Sequence, residues 1–398
     1  MSTPLTHAAI EALRAQTPGA HTNVHFNHAG ASIPSSATLR AISEHLEREA
    51  SLGPMEAGVA ATEEAEQART LAAVLLNAQP DEIALTAGNS QGWGAAFAAM
   101  ENWRPGDRIL VGRHEWGGNL AAMYLRARRS GTSIEVIPSR ESGTVDPDAL
   151  AAMLDERVRL IALTWLPANG GLINPAETIG AVARRHGIPY FVDAAQAVGQ
   201  LPVDVTRIGC DVLSTAGRKA LRGPRGTGLL YVRRDFLHRL TPACVDRYSA
   251  PLDAHGEPVL REDAGRFESA ETPVALRCGL VNALREALAG GIPNIRYQID
   301  RLANRLRKQL SEIPSIKLLD DGIERSGLVA FNATGRDAKW LQRGLAAQGI
   351  AIGTSGIAYT PFDMQARGLS EVARASVSYL TTESEIDRLV DTLRDLLR

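Results

Sequence analysis

Between Ile83 and Asp193 the chain repeats one pattern. A short apolar run is followed by a small or polar junction, then by a segment with apolar positions at helical spacing. The apolar runs at 83–86, 108–111, 134–137, 160–164 and 190–193 read as buried strands. The segments from Gln91 and at 119–128, 148–155 and 176–186 read as helices. Strands alternating with helices predict an α/β architecture: a mostly parallel sheet flanked by helices. Upstream, 6–16, 37–49 and 56–76 read as helices, and NVHFNHAGASIP between the first two reads as irregular. After Val232 the periodicity fades, and 233–273 read as long loops or a hairpin. Helices at 275–289, 296–312, 337–347 and 383–397 then mix with short strands at 316–319, 327–332, 351–353 and 374–379. The expected division is a large unit over residues 18–265 and a smaller C-terminal α+β domain over 266–398. Segment 1–17 is expected to pack on the smaller unit.

Open parallel sheets take their ligands at the carboxyl ends of the strands. Thr86, Trp116, the loop Pro167–Gly171, Asp193 and Lys219 each fall just after an apolar run, so five stretches of chain converge on one rim. Composition singles out the lysine. Of 43 Lys plus Arg, only Lys219, Lys308, Lys317 and Lys339 are lysines. Arginine cannot form a Schiff base because its guanidinium stays protonated, whereas a desolvated lysine can lose its proton and act as nucleophile or base. A carboxylate at Asp193 and a lone lysine at 219 suit pyridoxal phosphate. That cofactor needs an amine for its aldehyde, a carboxylate at its pyridine nitrogen, an anion cradle and a flat surface against its ring. Lys219 and Asp193 supply the first two. The strand–turn–helix junction at Gly88, Asn89 and Ser90 aims backbone N–H groups and a helix dipole at one point, which suits a phosphate. Trp116 supplies the stacking surface, and Gln196 is placed to donate to the ring oxygen. An amino-acid substrate also needs an arginine for its carboxylate, but composition does not choose which.

Other function classes are excluded by what remains. The formal net charge of −2 creates no field toward nucleic acid or an acidic membrane. No apolar run approaches the ~18 residues of a spanning helix, and a cytoplasmic protein is expected. Cys210, Cys244 and Cys278 are widely spaced without a CxxC pair, which argues against zinc or a disulfide framework and for three buried free thiols. His28 and His114 lack ligand-like partners, so no metal is expected. The turn GPRGTG at 223–228 precedes a strand instead of opening a helix, and reads as a tight turn, not a nucleotide loop.

VDAAQAVGQLPVDV, followed by AGRKALRGPRGTGLLYV, resembles the core signature of the class V aminotransferase family of fold-type I pyridoxal-phosphate enzymes. That family includes cysteine desulfurases, isopenicillin N epimerase-like proteins and ergothioneine C–S lyases. The likeness runs from about Phe26 to Leu393. It implies Lys219 as the Schiff-base lysine, Asp193 as the pyridine-nitrogen partner, Gln196 as the ring-oxygen ligand, and Asn89 with Ser90 as the phosphate turn. Trp116 falls where many relatives place a stacking histidine. Arg218 and Ala216 stand where relatives carry histidine and a phosphate-binding serine; Arg218 is expected among the cofactor-binding residues, and Thr215 is a candidate to compensate. FESAETP resembles the loop whose threonine, here Thr272, reaches a partner subunit's cofactor, which implies a homodimer with shared sites. ARASVSYLTTESEI resembles the strand bearing the carboxylate-binding arginine, here Arg374. The substrate pocket is expected to include His28 and Asn169.

One departure bears on the reaction. Desulfurases carry a nucleophilic cysteine in the region that reads AIGTSGIAYTPFD here, and this stretch has none. The favoured expectation is a C–S lyase acting on a cysteine-derived amino acid by β-elimination. A class V aminotransferase or an amino-acid epimerase is the alternative, and a non-catalytic protein of the same fold the third reading.

Overall fold

A computed structural model describes residues 5–398. The irregular stretch expected near residue 25 contains a three-residue strand, β1 (Val24–Phe26), and two sheets follow. The first is built from β2 (Ile83–Thr86), β3 (Arg108–Val111), β4 (Ser133–Val136), β5 (Val158–Thr164), β6 (Tyr190–Asp193), β7 (Val212–Ala216) and β8 (Gly228–Val232), in the order β2-β8-β7-β6-β5-β3-β4. Only β8 runs antiparallel to its neighbours, so the other six share one direction. The second sheet contains β9 (Ile316–Leu318), β10 (Leu328–Ala333), β11 (Ile350–Gly356) and β12 (Glu371–Ser376), with β1 added at its edge in the order β1-β11-β12-β10-β9.

The apolar runs are continuous because both faces of the large sheet are covered. Side chains alternate across it: Leu110, Ile161, Leu163, Val192 and Leu213 enter one core, while Ile109, Val111, Leu160, Phe191 and Val212 enter another. The first core runs on without a break into the small sheet, through Val329, Phe331, Ile350 and Ala373. The two sheets therefore share packing.

Strand β1 lies within the 18–265 span expected for the large unit, yet it pairs in parallel with β11, Val24 opposite Ile350. The helix His7–Ala15 is tied to the C-terminal helix by Arg14 and Glu385 at 2.9 Å. Residues 1–4 lie outside the described residues. The stretch 233–273 holds two short 3-10 turns, Arg234–Arg239 and Ala264–Phe267, and otherwise loops. Among the described residues no helix is long and apolar enough to cross a membrane.

Candidate active site

The carboxyl ends of β2, β5, β6 and β7 open on a cavity of about 630 Å³, within the usual range for small-molecule sites. Asp193 ends β6 and is buried. Asn89 and Asn119 each donate an amide N–H to its Oδ2, at 2.8 and 2.9 Å, and Ala195 N–H donates to Oδ1 at 3.0 Å. Among the described residues it forms no ion pair. A carboxylate fixed by three donors and without a cation partner suits a protonated pyridine nitrogen in the cavity.

The phosphate turn is built where β2 becomes a helix. Gly88 precedes the helix Asn89–Ala98, whose first N–H groups open toward the cavity. Ser214 of β7 donates to both the carbonyl and the side-chain oxygen of Asn89, at 2.8 and 2.9 Å, so the residue that grips Asp193 is itself held. The turn rests on the start of β8. A Cβ at Gly228 would lie 2.8 Å from Gly88 Cα and 2.7 Å from the Thr215 carbonyl, so only glycine lets the two backbones approach.

Lys219 follows β7 on a turn closed by Arg222 N–H to the Lys219 carbonyl at 2.9 Å and Gly223 N–H to the Gly217 carbonyl at 2.8 Å. Arg222 adopts φ 61°, an uncommon conformation for a non-glycine residue. Its buried guanidinium holds it there, donating to the Ile33 carbonyl, the Tyr379 hydroxyl and the Thr17 hydroxyl at 3.0, 2.9 and 2.6 Å. Loss of water lowers the Lys219 amine to about 7, with the Arg218 and Arg374 charges acting the same way and Asp193 opposing. An amine near 7 is substantially neutral at physiological pH, as a nucleophile or base requires.

Arg374 lies on β12 and is buried. Its Nη1 donates to the Ala168 carbonyl, while Nε has no partner. Gly353, its register partner on β11, leaves that edge open: a Cβ there would lie 3.0 Å from Nη2, 3.5 Å from Nε and 2.6 Å from Asn27 Oδ1. The unpaired edge of a pinned guanidinium, above a glycine, is a seat for a carboxylate.

Trp116 lines the cavity, its backbone N–H donating to the Thr164 hydroxyl at 2.9 Å and its ring tilted against Tyr359 at 5.4 Å. Gln196 also lines it, one N–H engaged by the Ala29 carbonyl at 3.0 Å. Other expected residues are placed differently. Thr215 is fully buried in β7 and donates to the Ala194 carbonyl at 3.2 Å, outside the cavity wall, where Ala216 stands instead. His28 faces a small cavity behind Gln196 and bonds Ser32 Oγ at 3.1 Å; burial, with the nearby His25 and Arg222 charges, holds its imidazole neutral. Asn27 takes its place on the wall. Asn169 is turned away to donate to buried Asp363 at 2.7 Å, and Ala168 faces the cavity. Thr272 lines a neighbouring pocket of about 380 Å³ that shares Ala87, Gln91, Gly226 and Thr227 with the main one. Cys210 and Cys278 are buried as expected, but Cys244 is exposed and lines this second pocket, because the loop carrying it lies on the surface.

Three features carried no signal in the residue pattern. Glu115 is fully buried beneath the site, accepting from Asn119 at 2.8 Å and from Thr164 N–H at 2.9 Å. Burial raises its carboxyl to about 8, and nearby Asp193 adds to the rise against the opposing hydrogen bonds. Asn119 joins it to Asp193. The third is Tyr359, brought to the wall by the segment after β11. Its carbonyl accepts from Gly117 N–H at 2.8 Å, and Asp363, four residues on, is clamped by Arg113 at 2.9 Å and His114 at 3.1 Å.

The site and fold place the chain in a class: residues 24–389 match the family model for Aminotransferase class-V, and the chain belongs to that family. Among curated relatives it is similar to a probable cysteine desulfurase of Xylella fastidiosa (strain 9a5c), 32% identical over 338 residues that cover 84% of this chain and 81% of that one. It is also similar to a cysteine desulfurase of Salmonella gallinarum, 31% identical and covering 85% and 84% of the two chains. Among solved structures, the cystine C–S lyase C-DES in complex with its reaction product cysteine persulfide superposes with a TM-score of 0.86 at 28% identity, over 96% of this chain and 99% of that one. A C-DES mutant carries glycine covalently linked to its pyridoxal-phosphate cofactor, with a TM-score of 0.87 at the same identity and coverage.

Proposed function

We propose that this pyridoxal-phosphate enzyme cleaves the C–S bond of a cysteine-derived amino acid by β-elimination, with the sulfur fragment leaving directly. One observation carries the reading: the segment in which desulfurases place their sulfur-accepting cysteine here brings Tyr359 to the cavity, and no cysteine lines it. The relatives' names support chemistry at the C–S bond of cysteine, and C-DES releases a persulfide as a small-molecule product.

Pyridoxal phosphate held here would supply the electron sink for charge developing at the substrate Cα. Lys219 Nζ holds the cofactor in the resting enzyme, and once freed takes the proton from Cα. Asp193, oriented by Asn89, Asn119 and Ala195 N–H, keeps the pyridine nitrogen protonated. Gly88, Asn89 and Ser90 hold the phosphate, Trp116 covers the ring, and Gln196 donates its second N–H to the ring oxygen. Arg374 fixes the substrate carboxylate and thereby sets which Cα bond stands over the ring. Loss of the β-substituent leaves a product that hydrolyses to pyruvate and ammonia.

A homodimer completes the proposal. Ala87, Ser90 and Gln91 are exposed at the cavity rim, and Leu39, Leu46, Leu52, Met55 and Val59 expose apolar side chains on the helices Ser36–Leu52 and Pro54–Ala60. A second copy seated there, with Thr272 at the shared rim, closes the phosphate end; light scattering that shows a monomer at assay concentrations refutes it. The reaction is tested with a panel of S-substituted cysteines and their sulfoxides, assayed for pyruvate. Pyruvate without added keto acid supports the lyase. Amination of an added keto acid with no pyruvate assigns the enzyme to transamination instead.

A further inference from the structure

Three guanidiniums line the cavity, and the proposed function uses only one of them. Arg218, Arg225 and Arg374 form no ion pair among the described residues, and the sole carboxylate on the wall, Asp193, is committed beneath the ring. Arg225 is exposed and adjoins Gly226 and Thr227 at the phosphate end. Arg218 departs from the same rim but crosses the cleft. Its Nη1 donates to the Gly30 carbonyl, and its own carbonyl accepts from Ser32 N–H at 2.8 Å. The loop that holds it is anchored to the small sheet, where Ala29 N–H donates to Ser376 Oγ at 2.8 Å, two residues from Arg374. Arg218 therefore stands on the substrate side. Burial lowers both the Lys219 amine and the Arg374 guanidinium, and the Arg218 charge acts in the same direction on each. Among the described residues only one of its donors is engaged, and the cavity it lines offers no carboxylate besides Asp193.

We propose that Arg218 recognises a second anion on the substrate, so that the preferred substrate is a cysteine thioether whose S-substituent carries a carboxylate. This rests on the C–S lyase reading of the same site. The α-carboxylate takes the open edge of Arg374, Cα and Cβ lie over the cofactor near Lys219, and the group beyond sulfur extends to Arg218. Two guanidiniums at opposite ends of one ligand favour a dicarboxylic amino acid over a neutral isostere of equal size.

The test uses the pyridoxal-phosphate-loaded enzyme and the isosteric pair S-carboxymethyl-cysteine and S-carbamoylmethyl-cysteine. Binding is followed by the change in cofactor absorbance, and cleavage by pyruvate. The acid is expected to bind at least about ten-fold more tightly than the amide, the order expected of a charge-assisted hydrogen bond. Arg218→Gln is expected to collapse that preference, whereas Arg374→Gln weakens both ligands alike. Equal affinity for acid and amide overturns the inference, as does an Arg218→Gln variant that keeps the preference. A variant that instead loses cofactor affinity with the preference intact makes Arg218 a phosphate ligand and equally overturns it. An Arg218-dependent preference in binding, without pyruvate from either compound, retains this inference and rejects the lyase reading.

Discussion

Gly353→Ala tests the carboxylate seat without touching any charged group. Gly353 lies opposite Arg374 in the β11–β12 register, and an added methyl would sit 3.0 Å from Nη2 and 3.5 Å from Nε, on the edge left free for the substrate. Arg374 cannot swing clear, because its Nη1 is fixed to the Ala168 carbonyl and its side chain is buried. The 2.6 Å approach to Asn27 Oδ1 is relieved more easily, since that atom ends a short side chain with no partner. The methyl therefore displaces the carboxylate and leaves the protein intact. Hydrogen bonds to a charged group are worth about 1.5–3 kcal/mol, so KM is expected to rise by roughly 10- to 100-fold. Glycine in a strand is a conformational liability of about 0.5–1 kcal/mol against alanine, so the melting temperature should hold or rise. The assay is pyruvate release against substrate concentration, with cofactor absorbance and thermal unfolding as controls. A variant with full cofactor, native stability and unchanged KM refutes the placement of the carboxylate.

Three further outcomes follow from the same geometry. Capture of pyridoxal phosphate by apoenzyme should accelerate about tenfold per pH unit up to about 7 and then level off, because Lys219 is neutral above that point; a rate still climbing at pH 9 indicates an ordinary lysine. Burial raises Glu115 from 4.5 to about 8, so the folded state retains a proton that the unfolded chain releases. Its contribution to stability therefore falls as pH rises from about 4.5 to 8 and is flat beyond, by about 1.4 kcal/mol per unit of separation. Glu115→Gln should remove that slope from unfolding midpoints taken between pH 5 and 9, and parallel curves for the two proteins argue against it. Gly117→Ala places a Cβ 1.9 Å from the Ala358 carbonyl oxygen and should dislodge the segment carrying Tyr359. The expected cost is about 1–3 kcal/mol of stability, as for other overpacked sites, together with faster proteolysis near residue 358; an unchanged digestion pattern contradicts it.

What was legible in the chain was what local pattern controls. Strands buried on both faces write continuous apolar runs, so the βα alternation and the rim bearing Asp193 and Lys219 could be read directly. The scarcity of lysine did the rest. Strand β1 could not be read, because three residues containing a histidine carry no period and their partner β11 lies more than 300 residues away. Glu115 and Asn119 flank Trp116 in the sequence, but a buried polar pair is defined by what surrounds it. Asn169 is turned away from the cavity for the same reason: a one-residue difference in a loop decides whether Ala168 or Asn169 faces it, and buried Asp363 claims the amide. Cys244 was expected to be buried because free cysteines usually are, whereas a surface loop holds it.

The central claim is that sulfur leaves without passing through an enzyme thiol. The measurement is the ratio of pyruvate to released thiol, with protein-bound sulfur assayed alongside, for wild type and for Cys244→Ser, which removes the one exposed cysteine. Equal amounts of pyruvate and thiol, no sulfur on the protein and undiminished turnover in the variant are predicted. Sulfur retained on the wild-type protein, with activity lost in Cys244→Ser, would contradict the account.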